Sequence, residues 1–136
     1  MIEFVALLLV STLFGGMMLY SFGFAPMVFR AMPAEDAGRF IRAVFPWYYL
    51  FVIGAAGLGG AILLLWDFGS SVLMIATAAV AVYARQALMP QINVARDARS
   101  RGDPNPKARF GRLHGISVAL NFVQLVAAAY VLYRFL

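Results

Sequence analysis

Charged side chains disappear from this chain over four long stretches, residues 4–29, 43–66, 68–84 and 113–133, and gather between them. Roughly 20 helical residues cross a hydrocarbon core about 30 Å thick. Lipid offers the backbone no hydrogen-bond partners, so a crossing segment is a helix or part of a closed barrel. The stretches lack the polar–apolar alternation of barrel strands. The pattern therefore predicts an all-α integral membrane four-helix bundle, a single domain over residues 1–136, with spans at about 4–29, 46–66, 70–90 and 111–134. Connections over 30–45 and 91–110 would lie on one side, and a turn at 67–69 on the other.

Finer patterning adds detail. Ser11, Gly15, Gly16 and Gly23 give the first helix a small-residue surface, as Gly54, Gly57, Gly59 and Gly60 do for the second. Such surfaces let helices approach closely, and Ser11, Gly15, Gly16, Gly54, Gly57 and Gly60 are the expected packing positions. Pro26 lacks a donor and frees the Phe22 carbonyl, predicting a kink before the first helix ends. Between Pro33 and Pro46, the positions Ala37, Phe40, Ile41, Val44 and Phe45 follow one helical face. Glu35 precedes Arg39 by four residues, the favourable order for an ion pair. A short amphipathic helix in the membrane interface is expected there, before the second span. It leads into Phe45, Trp47, Tyr48 and Tyr49, a group typical of the interfacial aromatic belt. Beyond Pro90 the third helix extends in polar sequence to about Arg101, with Gly102 suited to its end. Asn105 suits a cap and Pro106 a first helical position, so the fourth helix should run from 106 to about 134.

Composition agrees: 63% of residues are hydrophobic, mean hydropathy is +0.83, and there is no cysteine to form a disulfide or thiolate metal site. Four spans leave no room for a soluble domain. The net charge of +5 would suggest nucleic acid in a soluble protein, but here it flanks the spans and no nucleic-acid partner is expected. The first connection holds Arg30, Arg39 and Arg42, and the third Arg96, Arg99, Arg101, Lys107, Arg109 and Arg112, against Arg134 opposite. The excess of Lys and Arg puts both connections in the cytoplasm and both termini outside it, in a cell membrane, the inner one if the cell is Gram-negative. The first helix is expected to stay in the mature chain, because its early charge, Glu3, is acidic.

Polar residues at membrane depth are costly, which makes the few present informative. His114, Ser117, Asn121 and Gln124 lie on one face of the fourth helix, and Tyr83, Gln86 and Asn93 near one face of the third. Folding these helices about a turn at 103–105 sets Asn93 beside His114, Gln86 beside Asn121 and Tyr83 beside Gln124. A hydrogen-bonded seam between the two helices is expected, either structural or lining a ligand cavity. Arg85 either snorkels to the headgroups or points inward to an anion. Arg96, Arg99, Arg109 and Arg112 are candidates for anionic headgroups.

His114, the one histidine, could relay protons. As a metal ligand it lacks cysteine partners, and Met17, Met18, Met27 and Met89 would offer only thioethers. No cofactor is predicted. There is no phosphate loop, nucleophile elbow, catalytic carboxylate pair or zinc motif.

Some short motifs carry a resemblance. Phe29-Arg30, Met32-Pro33 and Phe45-Pro46-Trp47-Tyr48, then Arg85 with Pro90, then His114-Gly115-Ile116-Ser117 with Asn121, resemble the transmembrane protein 205-like family of small four-span proteins. The third connection is short beside that of animal members. The resemblance implies the four-span fold and points to the same His, Ser and Asn, without bringing an activity. Three classes of function remain: a small transporter or exporter working as a homo-oligomer around the seam, a non-enzymatic accessory subunit of a larger membrane complex, and, less favoured, a haem- or metal-binding redox protein. Membrane lipids are partners in each.

Overall fold

The computed structural model describes residues 1–102 and 106–136, and the turn expected at 103–105 with its Asn105 cap lies outside them. The chain is all-helical, with no strand among the described residues. Helices α1 (Ile2–Ala31), α2 (Ala34–Leu63) and α3 (Phe68–Ser100) are followed by α4 (Pro106–Tyr133). All four are long and apolar enough to cross a membrane.

Two of the helices widen locally. In α1 residues Leu19–Phe24 form a π turn, and in α3 residues Ala84–Leu88 form another. Ala25 N–H donates to the Tyr20 carbonyl and Met89 N–H to that of Ala84, each five residues back. Pro26 and Pro90 follow directly. A proline lacks the N–H, and its ring clashes with the carbonyl four residues earlier, so a wider turn ahead of it relieves both problems. The kink expected at Pro26 takes this form.

The interfacial helix expected before the second span is not a separate element. α2 runs unbroken through Pro46. Ala37 and Ile41, from the expected amphipathic face, are buried against Val28 of α1, with Phe24, Ala25 and Phe45 around them. Protein therefore covers that face. The ion pair there joins Arg39 to Asp36, three residues away, rather than to Glu35.

Neighbouring helices pack in chain order, and α4 closes the ring against α1. α2 and α4 are diagonal, with little close backbone contact. Ala6, Val10, Leu13 and Met17 form the buried stripe of α1, and Val52, Ala56 and Leu63 that of α2. Met74 and Ala81 of α3 and Leu125, Ala128 and Val131 of α4 complete the core. Gly60 lets α3 come close: a Cβ there would lie 2.8 Å from Ile75 Cδ1 and 3.2 Å from its backbone nitrogen. Ser71 Oγ donates to the Gly60 carbonyl at 2.7 Å in the same contact.

Each end of the bundle is tied by charge. At the arginine-rich end, Arg42 grips Asp97 with two hydrogen bonds of 2.7 and 3.2 Å, and Arg96 Nη1 donates to the Gly38 carbonyl at 2.7 Å. At the other end Asp67 caps α3, accepting from the Gly69 and Ser70 amides at 3.0 and 3.3 Å and from Ser70 Oγ at 2.6 Å. Arg134 Nε also donates to Asp67, at 2.7 Å. The Ser70 hydroxyl first, and then Arg134, hold the Asp67 carboxyl below its ordinary value of 3.8. A carboxylate with a depressed folded-state pKa stabilises fully above its unfolded value, and that contribution is lost as pH falls through the folded one. Amide exchange at Gly69 and Ser70 should therefore stay constant from neutrality down to the ordinary carboxylate range and quicken below it. In Asp67→Asn it should be fast and independent of pH throughout.

Candidate functional site

The π turn of α1 places Tyr20 and Ser21 toward the bundle, and α2 brings Tyr48 and Tyr49 against them from its arginine-rich half. The Tyr20 and Tyr48 rings stack with centroids 4.1 Å apart and planes within 18°. Phe45 meets the edge of Tyr20 at 5.7 Å and stacks on Tyr49 at 5.8 Å. Aromatic pairs at such separations add about 0.5–1.5 kcal/mol beyond the area they bury.

Behind the rings, α4 supplies polar partners. Tyr48 OH donates to Asn121 Oδ1 at 2.5 Å, and Asn121 Nδ2 donates to Ser21 Oγ at 2.9 Å. Tyr49 OH and Ser117 Oγ share a hydrogen bond of 3.2 Å. One asparagine thus links α1, α2 and α4, and two tyrosines bridge the diagonal that the backbones leave open.

This corrects the seam expected between α3 and α4. Ser117 and Asn121 do face inward, but their partners are on α1 and α2. Gln124 reaches α3, donating from Nε2 to the Thr77 carbonyl at 2.9 Å rather than meeting Tyr83. Tyr83 and Gln86 are exposed, Asn93 is half-buried, and no hydrogen bond among the described residues joins Asn93 to His114, Gln86 to Asn121 or Tyr83 to Gln124. The π turn explains much of this. An extra residue in the turn rotates whatever follows it, so a face projected at 3.6 residues per turn no longer points at α4. His114 is exposed and lies parallel to Phe110, with ring centroids 5.8 Å apart.

The arginines divide. Arg85 lies in the π turn, half-buried, with a buried Nε that lacks a partner. Arg96 is held by the Gly38 carbonyl, and the Arg99 guanidinium sits 5.9 Å from the centre of the Phe110 ring. Arg109 and Arg112 are exposed. Among the described residues no three His, Cys, Asp or Glu side chains gather as a metal site would require.

Beside the tyrosines a groove of about 530 Å³ opens between α1 and α2. Gly16, Gly23 and Met27 form one wall, Val44 and Phe51 the other, and Tyr20 and Tyr48 line it between them. Its volume lies within the range of small-molecule sites, which are mostly apolar with a few polar groups. Sequence reasoning missed Tyr20 and Ser21 altogether and placed Tyr48 and Tyr49 in the interfacial belt. The available signal was a serine and a tyrosine just ahead of Pro26, where the helix has to widen.

With this geometry in place, comparison with protein families finds one match, over residues 8–101, to DUF4149, a domain of unknown function. The chain belongs to the DUF4149 family. The match takes in most of α1 and all of α2 and α3, the helices that form the groove and the tyrosine cluster among them. Comparisons with curated proteins and with solved structures find no match.

Proposed function

We propose that this DUF4149 protein is a non-enzymatic accessory subunit that assembles in the membrane through glycine-bearing faces of α1 and α2. Supporting this is the way the glycines divide. Gly16 and Gly60 are consumed inside the bundle, where an added Cβ would press on Phe51 and Ile75. Gly15, Gly54 and Gly57 have nothing within 4 Å of the Cβ position, and Gly15 and Gly54 are exposed, as is Ser11. Small residues facing outward from a span suit close approach by another helix. The buried polar groups support the same reading, since Asn121, Ser117 and Gln124 spend their hydrogen bonds holding helices together. In this reading both arginine-rich connections are cytoplasmic, the termini are outside, Arg109 and Arg112 meet anionic headgroups, and the nearest kin are the transmembrane protein 205-like proteins.

The groove favours a second reading, an oligomeric carrier. Its cargo would be lipid-soluble, since the groove walls are apolar and the polar residues are tied up elsewhere.

Gentle extraction from the native membrane followed by native mass spectrometry tests the choice. A mass that requires other polypeptides supports the accessory role. A whole number of copies of this chain supports the carrier. A lone copy in every mild detergent overturns both.

A further inference from the structure

We propose that the groove between α1 and α2 seats an acyl chain of an anionic phospholipid from the leaflet on the arginine-rich side, with Arg30 holding the headgroup. The inference depends on the bundle being embedded in a membrane and not on either assembly reading. Three observations carry it. First, the groove wall on α1 runs from Gly16 to Met27, about 16 Å at 1.5 Å per residue, close to half of a hydrocarbon core about 30 Å thick. The groove thus reaches from mid-membrane to the headgroup boundary of a single leaflet. Second, its walls are aromatic, aliphatic and glycine, without a charged group, which matches a hydrocarbon chain rather than an ion. The exposed Leu19, Phe22 and Met27 border it on α1, so it opens where lipid tails would be.

Third, the charge at its mouth is complementary. Arg30 stands three residues beyond Met27 within the same regular α-helical stretch, Ala25–Ala31, and so continues the wall past the groove's end. It is exposed, and the ion pairs among the described residues, Arg39–Asp36, Arg42–Asp97 and Arg134–Asp67, do not involve it. A free guanidinium one turn beyond an apolar slot can meet phosphate oxygens with two parallel hydrogen bonds while the tail lies in the slot.

The π turn contributes to the shape. Gly23 lies within it, and a Cβ there would meet only Leu19 Cδ1, at 3.3 Å. Gly23→Leu should therefore fill the slot with little disturbance of the fold. The full chain would be reconstituted in nanodiscs of phosphatidylcholine and phosphatidylglycerol in equal parts. A phosphatidylglycerol carrying a diazirine in its acyl chain would then be photolysed and the labelled peptides mapped. Labelling concentrated on 16–27 and 44–51, falling several-fold in Gly23→Leu, is the expected result. Arg30→Gln should remove the preference for phosphatidylglycerol over a phosphatidylcholine probe while leaving chain labelling in the groove. Labelling spread evenly over the lipid-facing surface, or unchanged in Gly23→Leu, overturns the proposal. An equal yield from the two probes in the unsubstituted chain overturns the headgroup assignment. Should Gly23→Leu fail to fold, as judged by its helical circular dichroism, Val44→Trp narrows the slot from the α2 side and is read in the same way.

Discussion

Asn121→Leu should destabilise the bundle more than any other single polar substitution in its spans. The side chain accepts from Tyr48 and donates to Ser21, so removing it breaks both links between α4 and the first two helices. Hydrogen bonds between transmembrane helices average roughly 0.6 kcal/mol each, which alone gives a loss near 1 kcal/mol. The larger effect is the Tyr48 hydroxyl left behind. Tyr48 is only 8% exposed, and a buried donor without a partner costs about 1–3 kcal/mol. Leucine is close to asparagine in size, so the change tests polarity more than packing. The logic of paired removal gives a control. Tyr48→Phe combined with Asn121→Leu should recover much of the loss, because two apolar partners leave nothing unsatisfied. Gln86→Leu and Tyr83→Phe, on exposed positions without a partner on α4, should change stability very little. Reversible unfolding in mixed detergent micelles, followed by circular dichroism, measures all four. Equal losses from Gln86→Leu and Asn121→Leu would restore the α3–α4 seam that the spacing suggested.

Why the spacing identified the right residues and the wrong partners follows from the physics of each signal. Lipid excludes charge so strongly that runs without Lys, Arg, Asp or Glu locate helices even in a single sequence. Helical periodicity within α4 is regular, so Ser117, Asn121 and Gln124 could be assigned to one inward face without knowing what they met. Naming the partners required the order of helices around the ring and an undistorted α3, and neither is local information. Tyr48 and Tyr49 were misplaced for another reason: an aromatic run beside a proline reads the same whether it borders lipid headgroups or fills the gap between two diagonal helices. Burial of Ala37 and Ile41 turned on tertiary contact as well. Their amphipathic face was correctly visible, but Val28 of α1 covers it. Pro46 looked like a break, yet α2 continues through it, as a helix can when packing on either side holds its course.

The two glycine surfaces of α2 should respond to the same substitution in opposite ways. Leucine favours a helix over glycine by roughly 0.8–1 kcal/mol, so Gly→Leu is stabilising wherever there is room for the side chain. At Gly54 there is room, since nothing lies within 4 Å of the Cβ position. Gly54→Leu should leave the unfolding of the isolated chain unchanged or slightly strengthened. At Gly60 there is none. The Cβ alone would press on Ile75, including its backbone nitrogen at 3.2 Å, and the remaining leucine atoms would force α3 away. Overpacking of this kind typically costs 1–3 kcal/mol, about one to three times the propensity gain. The retreat of α3 would also break the 2.7 Å bond from Ser71 to the Gly60 carbonyl, leaving a buried hydroxyl without its acceptor. Gly60→Leu should therefore be clearly destabilised as a single chain. Gly54→Leu matters for assembly instead: on the accessory reading its native mass should drop to that of the lone subunit while its fold remains intact. A Gly54→Leu chain that still extracts at the full assembled mass would remove that face of α2 from the interface and leave Ser11 and Gly15 of α1 as the surface to test. A Gly60→Leu chain as stable as Gly54→Leu would mean that α2 and α3 do not make the close contact on which the bundle's order depends.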